Sequence, residues 1–183
     1  SDALRLSDAD KLVKSAMYAE RTLMAGFTTV RDLGGLPEQS FALRDGIAKG
    51  WIAGPRIIAA GSNVAVTGGH GDVDGMKPDL LHIHTAKTVC DGPFDCRRAT
   101  RHAIKFGADV IKITSTGGVL SDTDTGTGQQ MADDELKEVV EKAHALGRKV
   151  ASHAHAAAGI NAALRAGVDS IEHGSYANEE SIR

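Results

Sequence analysis

Gly107-Ala108-Asp109-Val110-Ile111-Lys112-Ile113 is the stretch on which the fold turns. It follows a helix-like run closed by Ala103, Ile104 and Phe106. Glycine is the expected stop just past a helix end, where the backbone often turns left-handed. A β-prone run comes next. Period two sets Val110, Lys112 and Thr114 on one face, with Ile111 and Ile113 on the other. If the isoleucines pack on helices, Lys112 points inward, where a charged amine is costly to hold. A neutral amine there can form a Schiff base. It can also take up carbon dioxide to give a carbamate, an anionic oxygen ligand able to bridge two metal ions. The plainer alternative is a strand-end lysine that reaches solvent.

The same unit recurs on both sides of this stretch. The joints are Ala25-Gly26, Ala53-Gly54, Phe106-Gly107, Leu146-Gly147 and Ala166-Gly167. The runs after them are Thr28–Val30, Arg56–Ala60, Val110–Ile113, Val150–Ser152 and Ser170–Ile171. Leu136, Val139, Val140, Ala143 and Leu146 have the spacing of one buried helical face. Asp133 is the expected cap of that helix, and Ser7 or Asp8 opens the first one.

Helix–strand alternation with tight joints implies parallel strands and crossover helices. No G-x-G-x-x-G follows the first strand, so a dinucleotide fold lacks its signature. A (β/α)₈ barrel uses roughly 31 residues per unit. The 183 residues therefore suit five units plus one long insertion, from Gly61 to about Cys96. The expected fold class is α/β: a partial (β/α)₈ TIM-type barrel, about strands 2 to 6 with their helices.

Barrel chemistry sits at the C-terminal ends of the strands. Lys112 lies five residues after its joint glycine, and Asp32, His153 and His173 each lie six after theirs. Imidazoles at one height on neighbouring strands, about 4.8 Å apart, can share a metal. His155 lies two residues beyond His153 and faces the same way. Glu172 is expected to face away from His173. In Thr67-Gly68-Gly69-His70-Gly71-Asp72 the glycines allow close backbone approach, so His70 either contacts substrate or is a solvent histidine on a flexible loop. His82, His84, His102 and His144 share no such register. A Gly-, Thr- and Asp-rich loop, Ser115 to Gln130, is either a lid or disordered.

Composition limits the alternatives. With 42% hydrophobic and 25% charged residues and a net charge of −3, the chain is not a nucleic-acid or anionic-membrane binder. No run approaches the roughly 20 apolar residues of a membrane span, and Ser1-Asp2-Ala3-Leu4-Arg5 does not read as a signal peptide. Cys90 and Cys96 are expected to be two free thiols, one on a loop and one at a helix start.

Together, Ala25–Gly35, Thr67–Asp72, Gly107–Ile113, Ser152-His153-Ala154-His155 and Ile171-Glu172-His173-Gly174 resemble the amidohydrolase superfamily, in its imidazolonepropionase-like and Xaa-Pro dipeptidase branch. The resemblance implies a (β/α)₈ barrel with two divalent metal ions, zinc being the usual choice. Lys112 would be a carboxylated lysine carrying carbon dioxide as its carbamate, with His153 and His173 as further metal ligands. His70 and His155 would orient a small-molecule or dipeptide substrate. The metals would polarise a carbonyl and activate a water for hydrolysis of an amide or peptide bond. Asp32 matches a strand end that is not a usual ligand.

The family's H-x-H on strand one and its strand-eight aspartate have no counterpart in this sequence. The expectation is one segment, 1–183, without strands one, seven and eight. It would be inactive alone and would bind metal weakly or not at all. Open sheet edges favour pairing with another chain, so a homo-oligomer is expected. Two other readings are a Schiff-base lyase using Lys112 and a non-catalytic scaffold.

Overall fold

The computed structural model describes residues 5–119 and 126–183. Residues 120–125, within the loop read above as a lid or disordered, lie outside the described residues. The chain divides into two compact units, Ser1–Gly61 and Ser62–Arg183. Both are α/β with parallel strands.

The first unit runs α1 (Asp8–Met24), β1 (Thr29–Asp32), α2 (Pro37–Ala48) and β2 (Arg56–Ala59). Ser7 caps α1: its hydroxyl accepts the Asp10 N–H, and the Asp10 carboxylate accepts the Ser7 N–H. That reciprocal pair satisfies donors left over at the helix start. β1 and β2 pair from Thr29↔Arg56 to Asp32↔Ala59. Gly26 takes the expected left-handed turn, at φ 98°. The second joint differs from the sequence reading. α2 ends at Ala48, and Gly50 (φ 73°) makes the turn. Gly54 serves close packing instead, since a Cβ there would lie 2.5 Å from the Ile47 side chain.

The second unit runs α3 (Pro78–His84), α4 (Pro93–Lys105), β3 (Val110–Thr114), α5 (Asp133–Ala145), β4 (Lys149–Ala154), α6 (Ala157–Ala166), β5 (Ser170–His173) and α7 (Glu179–Ile182). Its sheet has the order β3-β4-β5, all parallel. Val64 adds a parallel bridge to Ile113 on the free side of β3, with its N–H bonded to the Lys112 carbonyl at 2.8 Å. The long insertion thus returns a short piece of chain to the sheet. β3 is buried at every position, as a parallel strand covered on both faces should be. Ile111, Ile113, Leu136, Val139, Val150 and Ile160 form the core.

Two local expectations are corrected. Ala132, not Asp133, is the N-cap of α5; the Glu135 carboxylate reaches back to the Ala132 N–H at 2.8 Å and also accepts the Gly92 N–H at 2.6 Å. Cys90 and Cys96 are not free thiols but a buried disulfide with Cα atoms 5.0 Å apart. The cause is the chain reversal at Gly92 (φ 75°) and Pro93, which brings the first turn of α4 back over Cys90. The backbone N–H of Cys90 is itself held by the Ala65 carbonyl at 2.9 Å.

Two of the histidines outside the register, His102 and His144, have structural places. His102 packs on Phe106, ring centroids 4.5 Å apart. His144 meets the Asp169 carboxylate at 2.8 Å, and the same carboxylate accepts the Val150 N–H at the start of β4. Among the described residues no helix is long and apolar enough to cross a membrane.

Candidate active site

Lys112 sits in β3 with only 8% of its surface exposed. His153 lies in β4 at 3%, and His155 lies just past that strand at 7%. His173 is the last residue of β5 and is exposed. Half-buried His70 lies on the loop after Val64 and Ala65.

These residues are not at one height. Lys112 pairs with Ala151, Thr114 with His153, and His173 with Ala154. The lysine is therefore two residues below His153, and His173 is one above. Paired residues of parallel strands share a face, so Lys112, His153 and Glu172 point one way. A regular β5 would turn His173 the other way. It does not, because His173 has φ 73°, the one positive value at a non-glycine among the described residues. Such a conformation costs about 1–3 kcal/mol and persists only where surroundings impose it.

The turn brings the rings together. The His153 centroid lies 4.2 Å from that of His70 and 4.7 Å from those of His155 and His173. His155 stacks on His173 at 5.0 Å. The roots of the Ser115–Gln130 loop brace this cluster. Thr116 and Gln129 form an antiparallel bridge, and Gln130 N–H donates to the Ser115 carbonyl at 2.8 Å. Gln130 Oε1 accepts the His70 N–H at 2.9 Å. His153 Nε2 lies 3.3 Å from the Gly117 carbonyl. A Cβ on Gly118 would collide with the His70 ring.

Burial pushes the His153 imidazole down to about 3, and the neighbouring His70 adds to that while the Gly117 carbonyl opposes it. His70 is lowered by burial and then by Lys112, and His155 by burial and then by His173. His153 is therefore neutral at pH 7, with a ring lone pair to offer. Uncharged imidazole is the form that ligates metals. Among the described residues no group of three or more His, Cys, Asp or Glu side chains is arranged to hold a metal ion. The strand-borne set here is two imidazoles and an amine, and an amine supplies an anionic oxygen only after carboxylation.

Sequence reading missed Gly117, Gly118, Gln130 and Ser175, whose hydroxyl lies 2.8 Å from His155 Nδ1. All lie in loops, where no periodicity marks them. Asp32 closes β1 in the other unit, where its carbonyl accepts the Ala60 N–H at 2.9 Å.

Residues 6–181 match the model of the amidohydrolase family. The chain is 37% identical over 172 residues to ochratoxinase from Aspergillus niger, covering 86% of this chain and 35% of that protein. A crystal structure of that ochratoxinase superposes with a TM-score of 0.87 at 34% identity, covering 97% of this chain and 44% of the other. A crystal structure of a Xaa-Pro dipeptidase with methionine bound in its active site superposes with a TM-score of 0.90 at 40% identity, again over 97% of this chain and 44% of the other. The chain thus spans less than half the length of these relatives.

Proposed function

The chain belongs to the amidohydrolase family, and on that premise we propose that the complete protein hydrolyses an amide or peptide bond in a dipeptide, Xaa-Pro or N-acyl amino acid substrate. The chain would contribute about strands two to six of a (β/α)₈ barrel. The observation that carries this reading is the convergence of His70, His153, His155 and His173 beside the buried Lys112, where three parallel strands end.

Lys112, His153 and His173 are the proposed ligands of two divalent metal ions, zinc in the first instance. When bound, such ions supply Lewis acidity toward a carbonyl oxygen and lower the pKa of a water. The donor set fits them chemically. His153 stays uncharged at neutral pH. The left-handed turn at His173 directs its ring toward His153 against local preference. In its neutral form the Lys112 amine would attack carbon dioxide through its nitrogen lone pair and pass an N–H proton to solvent, which leaves an anionic carbamate. His70 and His155 orient the substrate through its carboxylate or scissile carbonyl. Gln130 and Gly118 fix where the His70 ring stands.

Hydrolysis of a panel of Xaa-Pro dipeptides and N-acyl amino acids by the complete protein tests this. Turnover is expected to vanish on chelation and return with zinc. Chelator-insensitive turnover, with a substrate trapped on Lys112 by borohydride, would favour the Schiff-base reading instead.

A further inference from the structure

We propose that Ser175 is a positioning residue that fixes His155 as its Nε2–H tautomer, so that His155 presents a hydrogen-bond donor to a carboxylate or carbonyl oxygen of the substrate. The inference rests on the reading of His155 as a substrate-orienting residue and deepens it. It begins at the end of β5. His173 (φ 73°) and Gly174 (φ 62°) are consecutive left-handed residues. The first turns an imidazole into the cluster, and together they fold the following chain back toward His155.

Three contacts follow from that return. The Gly174 N–H donates to the Ala154 carbonyl at 3.0 Å, and the Tyr176 N–H donates to the His155 carbonyl at 3.0 Å. Between them, Ser175 Oγ lies 2.8 Å from His155 Nδ1. On the other side, the His155 N–H donates to Thr116 Oγ1 at 3.0 Å. The His155 main chain is thus held at both its donor and its acceptor. Its ring is held by stacking on His173, by an edge contact with His153 and by a polar contact at Nδ1.

A neutral imidazole has one donor nitrogen and one acceptor nitrogen, and a hydroxyl can serve either. When the Ser175 hydroxyl donates to Nδ1, the ring proton must sit on Nε2. An Nε2–H suits carboxylate and carbonyl oxygens, which only accept. The opposite tautomer would turn a lone pair toward those oxygens and repel them. The role of His155 therefore sets the direction of the hydrogen bond from Ser175.

Two measurements on the complete, metal-loaded protein test this. Nitrogen NMR of isotope-labelled histidine reads the tautomer directly. Nε2–H is expected for His155 in the wild type, and a mixture of tautomers in Ser175→Ala. A wild-type His155 protonated on Nδ1 overturns the proposal. Steady-state kinetics on a hydrolysed dipeptide give the second readout. Ser175→Ala is expected to raise KM about tenfold, the scale of one hydrogen bond, with kcat within about twofold. Ser175→Thr, which keeps the hydroxyl, is expected to restore KM. In a His155→Ala background, Ser175→Ala is expected to add nothing. Wild-type kinetics for Ser175→Ala beside an impaired His155→Ala overturn the proposal. So does a Ser175→Ala variant that loses metal or melts early. Wild-type kinetics for His155→Ala instead overturn the orienting role itself, and the NMR result then stands as a separate test of the tautomer.

Discussion

Adding one methyl group at Gly118 perturbs His70 without touching it chemically. A Cβ there would lie 2.7 Å from His70 Nε2, with two further ring atoms closer still. Ordinary contacts of carbon with its neighbours are about 3.5–4.0 Å, so the ring must retreat by more than about 1 Å. A displacement of that size in a group that positions substrate costs about 10²-fold in rate, or about 2.7 kcal/mol. Gly118→Ala in the complete protein should therefore lose about 10²-fold in kcat/KM on a dipeptide, while metal content and thermal midpoint hold. His70→Ala should lose at least as much. The double variant should be no worse than His70→Ala alone, because a perturbation acting only through one residue has nothing left to move once that residue is gone. A fully active Gly118→Ala, or an undiminished loss in the His70→Ala background, would refute the chain of reasoning from Gly118 to His70.

Glu135→Ala should destabilise the protein by about 2–4 kcal/mol, since it leaves the Ala132 and Gly92 N–H groups without their buried acceptor; urea denaturation reads this, and a change below about 0.5 kcal/mol would contradict it. Asp169 is pushed up by burial, but its bonds from His144 and the Val150 N–H outweigh that and hold its pKa below the ordinary value of 3.8. A depressed carboxylate stabilises the fold above its unfolded pKa and loses that contribution as pH falls through the folded one. Asp169→Asn should thus cost about 1–2 kcal/mol at pH 7 and progressively less as the pH falls through the depressed folded pKa and the wild-type carboxyl protonates; a cost that stays equal on acidification would rule out the charge as the cause. The Cys90–Cys96 bridge closes a short loop, so Cys90→Ala/Cys96→Ala should lower stability by about 2 kcal/mol. Unreduced protein should show no titratable thiol from this pair, and two thiols reacting at once would contradict the assignment.

What the sequence revealed was local. Glycine stops and period-two faces depend on a few adjacent residues, so β3 and the burial of Lys112 in it were legible, as were the ends of β4 and β5. The stagger among Lys112, His153 and His173 was not, because it depends on pairing register and on one left-handed residue. Nothing in the order of residues marks His173 as the position where the strand pattern breaks. The disulfide depends on a reversal at Gly92 and Pro93 that spacing does not report, so the sequence pointed to free thiols instead. Gln130 meets the His70 N–H across 60 residues, and Gly118 meets its ring across a comparable gap. Contacts of that kind come from tertiary packing, which overrides what a local window can report.

Anomalous diffraction at the zinc edge, on crystals of the complete protein, tests the central claim most directly. Peaks are expected about 2.0–2.1 Å from ring nitrogens of His153 and His173, with density for a carboxylated Lys112 beside them. Metal bound away from these three residues, or an unmodified Lys112 in an actively hydrolysing protein, would contradict it.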